Sequence, residues 1–251
     1  MTFPPDSSLV DDVRASPNHQ PRRGVARPDI LLLHYTGMKT TDAALERLTD
    51  PGPEVSSHYL VFEDGRIFQL VPEARRAYHA GTSSWEGTTD INSRSIGIEI
   101  GNQGHDFGCP PFPEAQIEAV IALGRDIVTR WSMAPWHVLA HSDVAPLRKR
   151  DPGEVFPWAR LAAAGVGLWV EPAPIERGNA LCPGDHGEAV VRLQRMLADY
   201  GYGITANGRY DSTTHEIVAA FQRHFRPGRV DGIADMSTVR TLERLIAKRQ
   251  E

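Results

Sequence analysis

Ser95-Ile96-Gly97-Ile98-Glu99-Ile100 is the stretch on which the reading of this chain turns. Its isoleucines alternate with Gly97 and Glu99, the period-two pattern of a strand with one apolar face. Glu99 then stands on the face opposite the isoleucines. Around this strand the signals for sheet and helix alternate. Ile30 to His34 predicts a short buried strand, and Thr41 to Leu48 a helix with Thr41 as its N-cap. Ser57 to Phe62 and Arg66 to Leu70 flank Asp64-Gly65, a hairpin signal. Ile117, Val120, Ile121, Gly124, Ile127 and Val128 recur at helical spacing behind Pro113-Glu114. Val138 to His141 reads as a further strand. The expected fold class is α/β, with a mixed central sheet flanked by helices.

The pattern changes near residue 170. Glu171-Pro172-Ala173-Pro174 opens a polar, proline-bearing stretch that runs to Pro183-Gly184, the profile of a linker. Beyond it the signals are purely helical: Val190, Leu193 and Leu197, then Ile217, Phe221 and Phe225, then Val239, Leu242, Leu245 and Ile246. A short repeat, G-x-x-D-x-x-T, starts at Gly208 and again at Gly232, 24 residues on. Its aspartates, Asp211 and Asp235, suit the N-caps of the helices that follow. The expected domains are therefore 1–170 (α/β), 171–183 (linker) and 184–251 (three helices). A three-helix domain of this size has a thin core of its own, and such domains bind more often than they catalyse.

Composition narrows the function classes. In 251 residues, 41% apolar and 24% charged residues fit a soluble globular protein and exclude a disordered or fibrous one. A net charge of −5 gives no electrostatic reason to expect nucleic acid or an anionic membrane as partner. Two cysteines, Cys109 and Cys182, exclude a disulfide framework and suggest free thiols. The longest apolar stretch, Leu161 to Val170, is far short of the roughly 20 residues that span a bilayer. No signal-peptide pattern is visible in the first thirty residues, so a chain starting at Met1 is expected in the cytoplasm. An envelope location is the alternative for a sequence trimmed at its start. Oligomeric state is not legible.

Ten histidines occur, and most have ordinary settings. His19, His186, His215 and His224 lie in polar or helical stretches, and His105 and His137 read as structural. His34 is different, because it ends the apolar run Ile30-Leu31-Leu32-Leu33, where α/β sheets place site residues. His141 ends Val138-Leu139-Ala140 in the same way. Asp151 follows in Arg148-Lys149-Arg150-Asp151-Pro152-Gly153. Two imidazoles and a carboxylate make a three-ligand set that leaves zinc a fourth position for water, the pattern of a hydrolytic site. Spacing alone leaves a chance arrangement open.

Local words add to that reading. Leu-Leu-His34-Tyr35-Thr36, Ser57-His58-Tyr59-Leu60-Val61, His79-Ala80-Gly81-Thr82-Ser83-Ser84-Trp85, Ile96-Gly97-Ile98-Glu99-Ile100 and Ala140-His141-Ser142-Asp143-Val144-Ala145-Pro146 occur in that order. Arg148 to Glu154 and Phe156-Pro157-Trp158 follow. Together they resemble the zinc-dependent N-acetylmuramoyl-L-alanine amidases of the type 2 amidase family, which includes T7 lysozyme and the peptidoglycan recognition proteins. The resemblance covers roughly residues 25 to 168. Residues 180 to 250 resemble the three-helix peptidoglycan-binding domain, through Gly184-Asp185-x-Gly187, Leu193-Gln194 and the repeat.

The resemblance implies one Zn2+ ion held by His34, His141 and Asp151, with Glu99 and Lys149 as catalytic residues. It implies His58 and the segment His79, Ala80 to Trp85 as lining of the substrate groove. Residue chemistry agrees with the catalytic pair: a carboxylate beside a metal-activated water can take its proton, and an ammonium can stabilise an oxyanion. Some family members use cysteine as third ligand, but neither Cys109 nor Cys182 fits that position. Asp151 places the chain nearer the bacterial amidases of wall turnover and recycling. The expected reaction is hydrolysis of the amide between N-acetylmuramic acid, or its 1,6-anhydro form, and L-alanine of the stem peptide. The expected partners are peptidoglycan fragments or peptidoglycan. A non-catalytic peptidoglycan receptor is the contrasting reading; receptors of this kind typically lack a metal ligand, and here none is missing.

Overall fold

A computed structural model describes residues 3–176 and 178–250. The outermost residues of both expected domains, and Arg177 of the expected linker, lie outside that range. Two short strands come first, β1 (Asp12–Val13) and β2 (His19–Pro21), then β3 (Ile30–Tyr35) and α1 (Thr41–Thr49). The hairpin strands β4 (Tyr59–Val61) and β5 (Ile67–Gln69) follow, then β6 (Arg75–Ala77), α2 (Ile91–Arg94) and β7 (Ser95–Ile100). The α/β part ends with α3 (Glu114–Trp131), β8 (Val138–Ala140), α4 (His141–Val144) and α5 (Trp158–Ala163). Six strands form one mixed sheet in the order β1-β5-β4-β7-β3-β8, antiparallel only between β4 and β5. A small ribbon pairs β2 with β6. No helix among the described residues is long and apolar enough to cross a membrane.

Alternation along the central strands sorts the sheet into two unlike faces. Leu31, Leu33, Ile96, Ile98 and Ile100 point to one side and are buried under Ile117, Val120, Leu123 and Ile127 of α3. Leu32, His34, Gly97 and Glu99 point to the other. That second face is covered in two places. Leu45 and Leu48 of α1 pack over Leu60, Phe62, Phe68 and Leu70, and the C-terminal helices cover the sheet beneath Ile30 and Leu32. A cleft remains between the two covers.

The C-terminal region contains β9 (Ala180–Leu181), α6 (Glu188–Tyr200), α7 (Ser212–Phe225), β10 (Ala234–Asp235) and α8 (Met236–Arg249). It is not purely helical: β9 and β10 pair antiparallel and tie its start to the foot of α8. The repeated motif does cap helices. Asp211 accepts from the Thr214 N–H at 2.9 Å and Asp235 from the Thr238 N–H at 2.8 Å. Each cap is stapled by a buried glutamine from the preceding helix. Gln194 donates to Arg209 O and Thr214 Oγ1, and Gln222 to Ile233 O and Thr238 Oγ1. The same two glutamines accept from Gly208 N–H and Gly232 N–H. The repeat unit therefore begins one helix earlier than the sequence pattern suggested.

Three local expectations are corrected. The N-cap of α1 is Thr40, whose hydroxyl accepts from the Ala43 N–H, while Thr41 bonds Glu63 instead. His141 does not end a strand but begins the one-turn helix α4. The stretch after residue 170 is not a free tether: Ala173 is buried, donates to Thr241 Oγ1 and accepts from Ser237.

Nor is the module's core its own. Trp85, Val144 and Ala145 of the α/β part share one buried cluster with Tyr200, Tyr202, Ile217 and Phe221. Trp85 meets Tyr200 and Tyr202 edge-on, at centroid distances of 6.1 and 5.1 Å. Gly201 leaves room for this indole: at φ 138° a side chain is strained, and a Cβ there would lie 2.5 Å from the ring.

Candidate active site

Strand register places the first two site residues side by side. His34 on β3 pairs with Glu99 on β7, so both side chains emerge on the cleft face. His141 arrives from the neighbouring strand β8, at the start of α4. Asp151 is brought in by the loop after it, whose carbonyl accepts from the Ser142 N–H. The result is a buried triangle. His34 Nδ1 lies 2.8 Å from His141 Nδ1 and 3.1 Å from Asp151 Oδ2, and His141 Nδ1 lies 2.9 Å from the same oxygen.

The outward nitrogens decide what the triangle can hold. His141 Nε2–H donates to Ala80 O at 3.1 Å, which leaves Nδ1 as a lone pair. His34 Nε2 shares a 3.0 Å hydrogen bond with His79 Nδ1. Such outer partners fix the tautomer and ring orientation of metal-ligating histidines. Burial, then His141, lowers the His34 pKa to about 4, so its imidazole is neutral at neutral pH. Burial opposes ionisation of Asp151, yet the two imidazoles hold its carboxyl far below the usual range. Two imidazole nitrogens and a carboxylate oxygen thus converge on one point. A cation there turns mutual repulsion into coordination, and the residues present fit a metal ion.

A cleft of about 540 Å³ opens above the triangle. Glu99 and Lys149 both line it, as do Arg47, Tyr78, His79, Asn92 and Arg148. Glu99 Oε2 is buried with no hydrogen-bond partner. Burial, reinforced by Asp151, pushes its carboxyl well above the usual range, while Lys149 pulls the other way. A carboxylate poised to exchange a proton has this character.

The expected groove residues divide. His79 lines the cleft, and its ring lies against Gly97, where a Cβ would come within 2.6 Å of Nδ1. Ala80, also expected in the groove, does not line the cleft; it acts through its backbone, accepting from both His141 and Arg148. His58 and Trp85 need correction, since neither lines the cleft. His58 is fully buried in the scaffold, where Nδ1 accepts from the Gly97 N–H and Nε2 bonds Arg75 O. Trp85 sits in the seam with the helical module, packed against Tyr200 and Tyr202. Sequence reading missed Arg148, which donates to Thr82 O at 2.9 Å, and Asn92, whose Oδ1 accepts from the N–H groups of His79 and Ala80. Arg148 stood in an Arg-Lys-Arg run that offered a signal; Asn92 offered none.

A cation site on rigid elements, with a free carboxylate beside it in a cleft, is the equipment of a metal-dependent hydrolase. Comparison with known proteins narrows that class. Residues 24–154 match the family described as N-acetylmuramoyl-L-alanine amidase, and residues 186–242 match a putative peptidoglycan binding domain. The chain belongs to the N-acetylmuramoyl-L-alanine amidase family and is a hydrolase of peptidoglycan catabolism.

The N-acetylmuramoyl-L-alanine amidase AmiD of Escherichia coli is 40% identical over 247 residues, covering 91% of this chain and 86% of that one. Its structure in complex with the substrate anhydro-N-acetylmuramic acid-L-Ala-D-gamma-Glu-L-Lys superposes with a TM-score of 0.76 at 39% identity, covering 91% and 92% of the two chains. AmpDh3 from Pseudomonas aeruginosa gives a TM-score of 0.74 at 32% identity, covering 90% and 93%. The 1,6-anhydro-N-acetylmuramyl-L-alanine amidase AmpD of Enterobacter cloacae is 32% identical over 165 residues, 59% of this chain and 86% of its own.

Proposed function

We propose that the chain is a zinc enzyme that hydrolyses the amide between 1,6-anhydro-N-acetylmuramic acid and the L-alanine of soluble stem peptides, in peptidoglycan recycling. The observation that carries the reading is the convergence of His34 Nδ1, His141 Nδ1 and Asp151 Oδ2 within 3.1 Å, beside the unpartnered Glu99. Two nitrogens and one carboxylate oxygen, with a fourth position left open, suit catalytic zinc. The anhydro sugar is supported by the substrate complex of AmiD and the name of AmpD.

His34, His141 and Asp151 would hold the ion. When bound, zinc supplies Lewis-acid chemistry, polarising the lactyl carbonyl and acidifying a water. Glu99 accepts the proton of the attacking water and returns it to the departing L-alanine nitrogen; its raised pKa suits both transfers. Lys149, in the lining of the same cleft, offers an ammonium to the developing oxyanion or to the leaving amine. His79 and Asn92 keep the His34 and Ala80 contacts in register.

The second reading is an envelope amidase acting on polymeric peptidoglycan, favoured by the match of residues 186–242 to a putative peptidoglycan binding domain. Mass spectrometry of products from soluble anhydro-muramyl peptides and from insoluble sacculi, with a chelated control, separates the two. Peptide release from the soluble substrate alone is the expected result, and it fits a cytoplasmic enzyme. Efficient cleavage of sacculi would replace the proposal with the envelope reading. No cleavage of either would remove the substrate assignment altogether.

A further inference from the structure

We infer that Tyr202, Arg223 and His224 of the helical module are positioning residues for the metal ligands, acting through Asp143 and Glu154. The inference rests on the metal-site reading above. It starts from α4, four residues long and opened by His141. One helical turn is not stable by itself, so the orientation of His141 must be imposed from outside. Asp143 on that turn is fully buried. It accepts from the Ala140 N–H at 2.8 Å, from the Tyr202 hydroxyl at 2.7 Å and from His224 Nδ1–H at 2.6 Å. Two of these three donors belong to the helical module. A buried carboxylate needs its donors, and removing one leaves a strong local penalty.

His224 cannot swing away. Its ring is stacked between Trp158 and Phe225, with centroids 3.7 Å away on each side. The preceding residue on α7, Arg223, forms an ion pair with Glu154 at 3.5 Å, in the loop that delivers Asp151. Glu154 in turn bonds His105 Nε2 at 3.0 Å, and His105 Nδ1 meets the hydroxyl of Tyr35, next to His34, at 2.9 Å. One turn of α7 thus reaches the segments of all three ligands. Partners beyond the ligands tune metal affinity through the orientation they impose.

The test uses the full chain and four variants: Tyr202→Phe, which removes one hydroxyl, Arg223→Met, His224→Leu, and His224→Asn, which restores a donor near Nδ1. Zinc and cobalt affinities are measured by competition with a chromophoric chelator, together with the cobalt absorption spectrum and the melting temperature of metal-free protein. Tyr202→Phe and His224→Leu are expected to weaken metal binding about 10-fold each, the lower end for outer-shell partners, and to alter the cobalt spectrum. Arg223→Met is expected to do less, and His224→Asn to recover part of the loss. Parent-like affinity and spectrum in Tyr202→Phe and His224→Leu, whatever their melting temperatures, would overturn the inference. If His224→Leu does not fold, Tyr202→Phe decides alone. A parent protein that binds neither ion overturns the metal reading, and this inference with it.

Discussion

The two faces of the central sheet are made by alternate residues of the same strands, and they do opposite work. Beneath α3, Leu31, Leu33, Ile96, Ile98 and Ile100 fill one face with branched side chains and no polar atom. On the other face the same strands carry His34, Gly97 and Glu99, two titratable groups and a missing side chain. The first face shows how the sheet is held. The second shows that chemistry needs space and unpaired polar atoms, which a well-packed face does not allow.

The sharpest way to break this contrast is to cut the metal triangle. His34→Ala or Asp151→Ala is expected to abolish metal retention and turnover while the α3 face stays folded; metal analysis and circular dichroism check both halves. A metal-free but fully active His34→Ala protein would refute the division. Glu99→Ala should retain metal and lose turnover by about 10²–10⁴-fold, the usual range for a general base or acid, in product-release assays. On the opposite face, Ile98→Ala should cost about 2–5 kcal/mol of stability through cavity formation. Its turnover per folded molecule should match the parent.

Gly97→Ala probes the boundary between the faces. Its new Cβ would meet the His79 ring at 2.6 Å, so the imidazole must move, and metal affinity should fall more than stability does. Chelator competition and a melting curve separate the two effects. The smallest effect is expected at the domain seam in acid. Glu86 is held at about pKa 2 by His137, with Arg94 and Arg249 adding to it, and Glu154 at about 2 by His105 and Arg223. Both folded values lie below the ordinary 4.5. Their stabilisation is complete above that pH and is lost as pH falls through about 2. Melting temperature should therefore decline more steeply between pH 4.5 and 2 in the parent than in Glu86→Gln.

How much of this was legible follows from which signals are periodic. The strands β3 and β7, helix α3 and the polar ends of apolar runs at His34 and His141 were readable, because alternation and helical spacing repeat along the sequence. The motif words singled out Glu99, Lys149 and Asp151. His58 and His79 could not be told apart, since both follow small or aromatic neighbours and only the fold aims one at the cleft and the other at the Gly97 amide. The seam was invisible for the same reason. Trp85, Asp143, Tyr202 and His224 are scattered along the chain, and contacts of that range leave no pattern between neighbours. Even the repeat was read short, because Gln194 and Gln222 stand at different distances from the caps they staple.

The indole of Trp85, lodged where Gly201 lacks a side chain, has a consequence for how the molecule comes apart. Two segments that look separable along the chain have no separate melting behaviour if both supply side chains to a common interior. Calorimetry should show one endotherm, and amides in α6 and β8 should exchange with deuterium at a common rate limited by global opening.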